Sequence, residues 1–210
     1  MTAVVFDFGA VLFQWKPLQL LQQVVPELAP DEAAAQRVAS QIFESFTPES
    51  DWALFDLGRV DAAELADRIA RRLGIAPAQV RRVIDAIPPH LVAQPEMVAL
   101  FRALKAAGHR MYFLSNMPPS YADHLERVNP FIAEFDDGIY SGRVGLMKPQ
   151  PAIFELSQRR FALAGVPTAF IDDHAGNIVA ASQHGWRGLH FRGVQLLTRA
   201  LREQGWLPAD

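Results

Sequence analysis

The chain has 210 residues, half of them hydrophobic and a fifth charged, which is enough to bury a core and suits one domain or one domain with an insertion. Its formal net charge of -3 gives no indication of nucleic acid or of an anionic membrane as a partner. The absence of cysteine excludes disulfides, thiolate nucleophiles and cysteine-based zinc sites, and it favours a reducing compartment.

The start of the chain, Met1 to Asp7, lacks the basic region, apolar run and cleavage site of a signal peptide. No apolar stretch approaches the roughly 20 residues that a membrane-spanning helix needs. The pairs Arg71-Arg72 and Arg81-Arg82 have no interleaved aromatic residues and are typical of solvated helix faces. We therefore expect a soluble, cytoplasmic protein that binds neither membrane nor nucleic acid.

The first part of the chain predicts one strand followed only by helices. Ala3 to Phe8 is an apolar run that Gly9 interrupts, which predicts a buried strand ending in a loop. From about Gln14 to about Pro89 the start and stop signals predict consecutive helices. These signals are Thr47-Pro48-Glu49 and Asp61 with Glu64 (a capping box) as helix starts, Gly58 and Gly74 as helix ends, Pro77 in a first turn, and Pro88-Pro89 as a break.

Beyond Pro89, helices alternate with short apolar strands. The predicted helices are 96–107, 120–128, 151–164, 176–183 and 195–204, and the predicted strands are 110–115, 169–171 and 188–191. This alternation predicts a parallel sheet covered by helices. The predicted fold is therefore α/β, with a Rossmann-like core of residues 1–13 and 91–210 and a small all-α cap of residues 14–90 inserted after the first strand. Because open α/β sheets bind ligands at the carboxyl ends of their strands, the cap would lie over the site.

Polar residues follow the predicted strands and precede one predicted helix. They are Asp7, Ser115-Asn116, Lys148 before Pro149, and Asp172-Asp173. If the strands are neighbours in one parallel sheet, these groups converge on one pocket. Two or three carboxylates, a hydroxyl and an ammonium suit a hard cation together with a phosphate.

Four segments resemble the motifs of the haloacid dehalogenase-like (HAD) superfamily, in the same order and spacing. They are Val4-Val5-Phe6-Asp7-Phe8-Gly9-Ala10-Val11-Leu12, Phe113-Leu114-Ser115-Asn116, Lys148-Pro149, and Phe170-Ile171-Asp172-Asp173 continuing to Ile178. The position of the cap also agrees, so the resemblance covers the whole chain. One such motif is a weak signal, whereas four in order are a strong one.

The resemblance implies a phosphatase that works through a covalent intermediate. Asp7 would attack phosphorus and form an aspartyl-phosphate that water then hydrolyses. It implies Mg²⁺ held by Asp7, by the main-chain carbonyl of Gly9 and by Asp173. Lys148 would offset the charge where Asp7 meets a phosphate dianion.

The resemblance also implies roles for the neighbouring polar residues. Ser115 and Asn116, with nearby backbone amides, would hold the transferring oxygens together with Lys148. Asp172 would orient the metal ligands without binding the ion itself, and Asn177 would position the same loop. The substrate would be a small phosphorylated metabolite.

Gly9 is the main departure from the family pattern. Most HAD phosphatases have a second aspartate there, which protonates the leaving group and later activates water, a contribution of typically ~10²–10⁴-fold. A slow or inactive enzyme, an acid supplied from elsewhere, or a substrate with a good leaving group would each fit glycine. The D-F-G motif resembles a branch that includes α-D-glucose-1-phosphate phosphatases, which points to a sugar phosphate.

Two other functions remain open. A metal-independent 2-haloacid dehalogenase would use the same nucleophile, but such enzymes typically have tyrosine at the position of Gly9, and the Asp172-Asp173 pair instead provides ligands for a hard cation. A phosphate-binding module that has lost catalysis together with the missing acid is the third reading.

Several further residues have an ordinary structural explanation. His174 is interpreted as an exposed loop histidine in preference to a substitute acid or base. Four aromatic residues at roughly helical spacing in the cap are interpreted as core, although one of them would be able to face the pocket; they are Phe43, Phe46, Trp52 and Phe55. A substrate role for Asp56 or Arg59, beside the helix end at Gly58, has no support in the sequence.

Overall fold

The computed structural model describes residues 2–44, 47 and 49–208. Five strands are formed by β1 (Ala3–Phe6), β2 (Arg110–Ser115), β3 (Asp137–Tyr140), β4 (Thr168–Asp172) and β5 (Arg187–His190). Between β1 and β2 lie α1 (Pro17–Val24), α2 (Glu32–Phe43), α3 (Asp51–Asp56), α4 (Ala62–Leu73), α5 (Pro77–His90) and α6 (Pro95–Ala106). The later helices are α7 (Pro119–Val128), α8 (Ser141–Val144), α9 (Pro151–Arg160), α10 (Ala175–Gln183) and α11 (Val194–Glu203), with a 3₁₀ turn at Pro130–Glu134.

The strands form one parallel sheet in the order β3-β2-β1-β4-β5. β1 lies at its centre, and all four of its residues are buried. Val4 and Phe6 face one apolar cluster, whereas Ala3 and Val5 face another, so both faces of the sheet are covered. This confirms the predicted Rossmann-like α/β fold. Since the order changes direction at β1, the carboxyl ends of β1 and its neighbours border a crevice suited to ligand binding.

Helices α1–α5 occupy the predicted cap region between β1 and α6, in which the structure describes all residues except 45, 46 and 48. The division into a core of 1–13 and 91–210 and a cap of 14–90 stays a prediction. Gly74 ends α4 in the left-handed region at φ +67°, and Pro77 is the first residue of α5, both as predicted.

Two helix starts differ from the prediction. α3 is capped by Ser50, whose hydroxyl accepts from the Ala53 N–H at 3.0 Å; Pro48 of the expected start lies outside the described residues. Asp61 caps α4 by accepting from the Glu64 N–H, but the Glu64 side chain pairs with Arg68 instead of completing a capping box.

The expected helix break at Pro88-Pro89 falls slightly later, because both prolines lie inside the last turn of α5, which ends at His90. Pro88 has no N–H to donate to the carbonyl of Ile84, four residues earlier. The hydroxyl of Tyr121 in α7 donates to that carbonyl instead, at 2.7 Å. The lost helix bond is thus replaced by one that ties α5 to the core.

The sequence reading missed β3, which lies at the edge of the sheet and is only half-buried at Asp137 and Gly138. Among the described residues, no helix has the length and apolar character needed to cross a membrane.

Candidate active site

Asp7 and Lys148 form a buried ion pair at the carboxyl end of β1. Asp7 directly follows the strand, is 8 % exposed, and lies with its Oδ1 2.8 Å from the Lys148 Nζ. Burial raises the pKa of Asp7 to about 7; Lys148 opposes this rise, while Asp172 and Asp173 add to it. Burial lowers the pKa of Lys148, but Asp172 and Asp7 outweigh burial and raise that pKa above its ordinary value. Lys148 therefore stays charged beside the carboxylate.

Asp172 connects the lysine to the loop after β4. Its Oδ2 accepts from the Lys148 Nζ at 2.7 Å, and its Oδ1 accepts from the His174 N–H at 2.8 Å. The Asn177 side chain donates to both oxygens at 3.0 Å. Asp172 is fully buried and every one of these bonds lies within the protein. Asp172 and Asn177 thus lie together beside Lys148, and their role in orienting metal ligands stays a prediction.

Asp173 is exposed, and its carboxylate lies near those of Asp7 and Asp172. One oxygen from each of the three lies within 4.8 Å of the others. Burial and the charge of Asp172 raise the pKa of Asp173. Three carboxylates against a single lysine leave an excess of negative charge that a hard cation would neutralise, and oxygen donors are the ligands such an ion prefers. The donor set therefore fits Mg²⁺.

Asn116 and Ser115 differ in their contacts with Lys148 and with the cavity. The Asn116 side chain donates to the Lys148 carbonyl at 2.9 Å and accepts from the Lys148 N–H at 2.8 Å, so it fixes the lysine loop. Its amide also lines the cavity described below. Ser115 is the last residue of β2, is 1 % exposed and does not line the cavity. Its contact with a phosphoryl oxygen stays a prediction.

Gly9 lies in the tight loop after β1. The Phe13 N–H donates to the Phe8 carbonyl at 2.8 Å, which folds the loop back, and Ala10 takes the left-handed conformation at φ +57°. A left-handed non-glycine residue costs about 1 kcal/mol or more and is typical of functional loops. Apart from its chain neighbours, no atom of the described residues lies within 4 Å of a Cβ placed on Gly9, so steric crowding by them does not explain the glycine.

A cavity of about 210 Å³ opens above this centre, between the cap helices and the core. Its floor includes Asp7, Gly9, Lys148 and Asp173. Its wall is mostly apolar, with Trp15, Trp52, Ile87, Leu91, Met117 and Met147 as the larger side chains. The volume is below the ~300 Å³ at which drug-sized sites begin, so the cavity suits a compact ligand.

The remaining residues considered in the sequence analysis either line the cavity or are buried in the core. Trp52 lines the cavity, while Phe43 and Phe55 are buried in the core; Phe46 lies outside the described residues. His174 is exposed, as expected, and borders the cavity beside Asp173.

Asp56 is a cavity residue that the sequence did not identify. This last residue of α3 is 6 % exposed, and burial raises the pKa of its carboxyl to about 8. Nothing in the local sequence marks it, because its orientation depends on how α3 packs against the core. A carboxyl with so strongly raised a pKa inside a cleft is a signal of function that only the structure reveals.

The parallel sheet and the acidic centre at its carboxyl edge are those of a Rossmann-like α/β enzyme. The profile of the haloacid dehalogenase-like hydrolase family matches residues 1–185, and the chain belongs to this family. It is 26 % identical over 204 residues to the sesquiterpene phosphatase astK of Aspergillus oryzae, covering 96 % of this chain and 95 % of that protein.

Solved structures share the fold. A HAD-family enzyme of Bacteroides thetaiotaomicron, in complex with magnesium and inorganic phosphate, matches with a TM-score of 0.65 at 21 % identity over 91 % of this chain and 94 % of that one. The L-2-haloacid dehalogenase of Xanthobacter autotrophicus matches with a TM-score of 0.66 at 18 % identity over 99 % of this chain and 85 % of that one. Because phosphatases and dehalogenases share this fold, the comparisons establish a hydrolase, and the substrate must be argued from the site.

Proposed function

We propose that the protein is a Mg²⁺-dependent phosphatase that hydrolyses the phosphate monoester of a compact, largely apolar alcohol. The observation that carries this proposal is the Asp7–Lys148 pair at the floor of an apolar cavity, within a cluster of three carboxylates. A nucleophilic carboxylate, an ammonium and a set of oxygen ligands are what phosphoryl transfer from a dianion needs.

In the proposed reaction Asp7 attacks phosphorus, the bond between phosphorus and the alcohol oxygen breaks, and the departing alkoxide takes a proton from water, because Gly9 offers no acid. Water then hydrolyses the aspartyl-phosphate, which releases inorganic phosphate and restores Asp7. Lys148 holds the Asp7 carboxylate in place at 2.8 Å and offsets negative charge as the phosphate approaches. Mg²⁺ held by Asp7, the Gly9 carbonyl and Asp173 would neutralise the phosphoryl oxygens. Asp172 and Asn177 hold the Lys148 side chain and the loop of Asp173 in place through their hydrogen bonds.

The apolar wall supports an apolar alcohol over the sugar phosphate that the D-F-G motif pointed to. A sugar has several hydroxyl groups, each of which loses water on entering and needs a new partner. The Trp15, Trp52, Ile87 and Leu91 side of the cavity offers aliphatic and aromatic surface instead. The relative named a sesquiterpene phosphatase is in agreement with a hydrocarbon-like substrate.

The test is phosphate release from a panel of short n-alkyl and prenyl phosphates beside hexose 1- and 6-phosphates, with Mg²⁺ and again with EDTA. We expect release from the apolar esters that requires Mg²⁺ and is lost in Asp7→Asn. Preference for hexose phosphates would refute the substrate class but keep the chemistry.

Two other outcomes would refute the chemistry itself. Halide release from 2-haloacids that EDTA does not affect, without phosphate release, would identify a dehalogenase. Binding of inorganic phosphate without turnover of any ester would identify a phosphate-binding module.

A further inference from the structure

The carboxyl of Asp56 is buried and has no partner within the part of the chain that the structure describes. Its backbone carbonyl accepts from the Ser141 hydroxyl at 2.6 Å. No ion pair or hydrogen bond reaches the side chain among the described residues. Asp56 lines the cavity, so a ligand or a water molecule in the cavity is able to satisfy the carboxyl.

Three contacts hold Asp56 in this place. The Ser141 hydroxyl that donates to Asp56 also accepts from the Met117 N–H at 2.8 Å, which links the end of α3 to the loop after β2. Ala53 and Leu57 pack with Met147 in a small apolar cluster beside the lysine loop. A Cβ at Gly58, which has φ +68°, would come within 2.7 Å of the Gly142 carbonyl, so a side chain there would push α3 off the core.

The position of Asp56 differs from that of a group acting on the phosphate. Asp56 lies outside the cluster of Asp7, Asp172 and Asp173, and Lys148 pairs with Asp7 and Asp172. Since the phosphate meets that cluster in the proposed reaction, Asp56 is available to the alcohol portion of the substrate.

Among the described residues, the neighbours of Asp56 on this wall are mostly apolar. The hydroxyl of the neighbouring Tyr121 is already used by the Ile84 carbonyl. Trp52 and Ile87 contribute aromatic and aliphatic surface. At neutral pH the raised pKa leaves Asp56 mostly protonated, so that it is able to donate and to accept a hydrogen bond without placing a bare charge in the wall.

We propose that Asp56 is a specificity-determining residue whose carboxyl hydrogen-bonds to one neutral polar group, a hydroxyl or a carbonyl, on the otherwise apolar body of the substrate. The inference rests on the proposed phosphatase function and narrows its substrate class. The preferred substrate is then an apolar phosphate monoester with one oxygen function away from the phosphate.

The experiment uses pairs of substrates that differ only in this group: n-alkyl phosphates and their ω-hydroxyalkyl counterparts, of four to eight carbons. kcat/KM is measured with Mg²⁺ for the wild type, Asp56→Leu and Asp56→Asn. We expect the wild type to prefer the hydroxylated member at one chain length by about tenfold, which is the value of one neutral hydrogen bond. Asp56→Leu should lose this preference and still hydrolyse the plain alkyl ester, whereas Asp56→Asn, whose amide also donates and accepts, should keep part of it.

Equal preference in the wild type and in Asp56→Leu, or no preference at any chain length, would overturn the proposal. Loss of turnover on plain and hydroxylated esters alike in both variants would also overturn it, because it would place Asp56 in the chemical step. Failure of the phosphatase assignment itself is distinguishable, since the wild type would then release phosphate from no member of the panel.

Discussion

Replacing Asp56 by Asn should stabilise the protein, by an amount that grows with pH. The carboxyl has an ordinary pKa of 3.8 and a folded-state pKa of about 8, so between these values the folded protein retains a proton that the unfolded chain releases. The free energy of unfolding of the wild type therefore falls, relative to that of the variant, as pH rises. At 1.36 kcal/mol per pKa unit, the difference grows, relative to its value below pH 4, by about 3 kcal/mol at pH 6 and by at most about 6 kcal/mol above pH 8.

The measurement is urea unfolding of the wild type and Asp56→Asn in EDTA at several pH values from 5 to 9. The buried amide of the variant has its own desolvation cost, but that cost does not depend on pH, so the slope with pH is the quantity to compare. Asp67→Asn, at an exposed position of α4, is the matched control and should give a curve parallel to the wild type. Parallel curves for Asp56→Asn and the wild type would refute the reasoning, because they would mean that Asp56 is solvated or paired in solution.

Three further predictions concern the acidic centre. Asp7→Asn should abolish phosphate release, because it removes the nucleophile. It should also reduce the rise in melting temperature that Mg²⁺ causes, because it removes one of three carboxylates. Substantial Mg²⁺-dependent turnover by this variant would contradict the prediction. Lys148→Met should abolish turnover and lower the free energy of unfolding in urea by about 3–5 kcal/mol, because two buried carboxylates lose their shared cation. An unchanged unfolding midpoint would argue against the ion pair. Gly9→Asp should raise kcat for n-alkyl phosphates about 10²-fold and for p-nitrophenyl phosphate much less, because the new carboxyl would serve as the missing acid. Among the described residues, only its chain neighbours lie within 4 Å of the new Cβ. No gain in kcat would mean that another proton donor already acts.

The fold was predictable because its central strands are apolar on both faces. β1, β2 and β4 are buried almost throughout, and such runs between helices have few alternatives to a parallel sheet. β3 was not predictable, because Asp137-Gly138-Ile139-Tyr140 lies at the sheet edge and shares its polar composition with a loop. The course of α5 through Pro88 depended on a hydroxyl from Tyr121, a residue of another helix.

The proximity of the acidic residues was predictable for a related reason. Asp7 and Asp173 directly follow strands, Asp172 is the last residue of one, and a parallel sheet brings strand ends together. Asp56 was not predictable, because a six-residue helix presents its side chains according to its docking. That docking depends on Ser141, 85 residues further along the chain, and on the close approach of Gly58 to the Gly142 carbonyl.

The central claim is that Asp7 becomes phosphorylated during turnover. The most direct measurement is peptide mapping by mass spectrometry after the protein is mixed with an n-alkyl phosphate and Mg²⁺ and quenched with acid within one turnover. The account predicts a phosphoryl group on Asp7, which is absent in EDTA and in Asp7→Asn. Phosphate release without any modification of Asp7, and with Asp7→Asn still active, would contradict it.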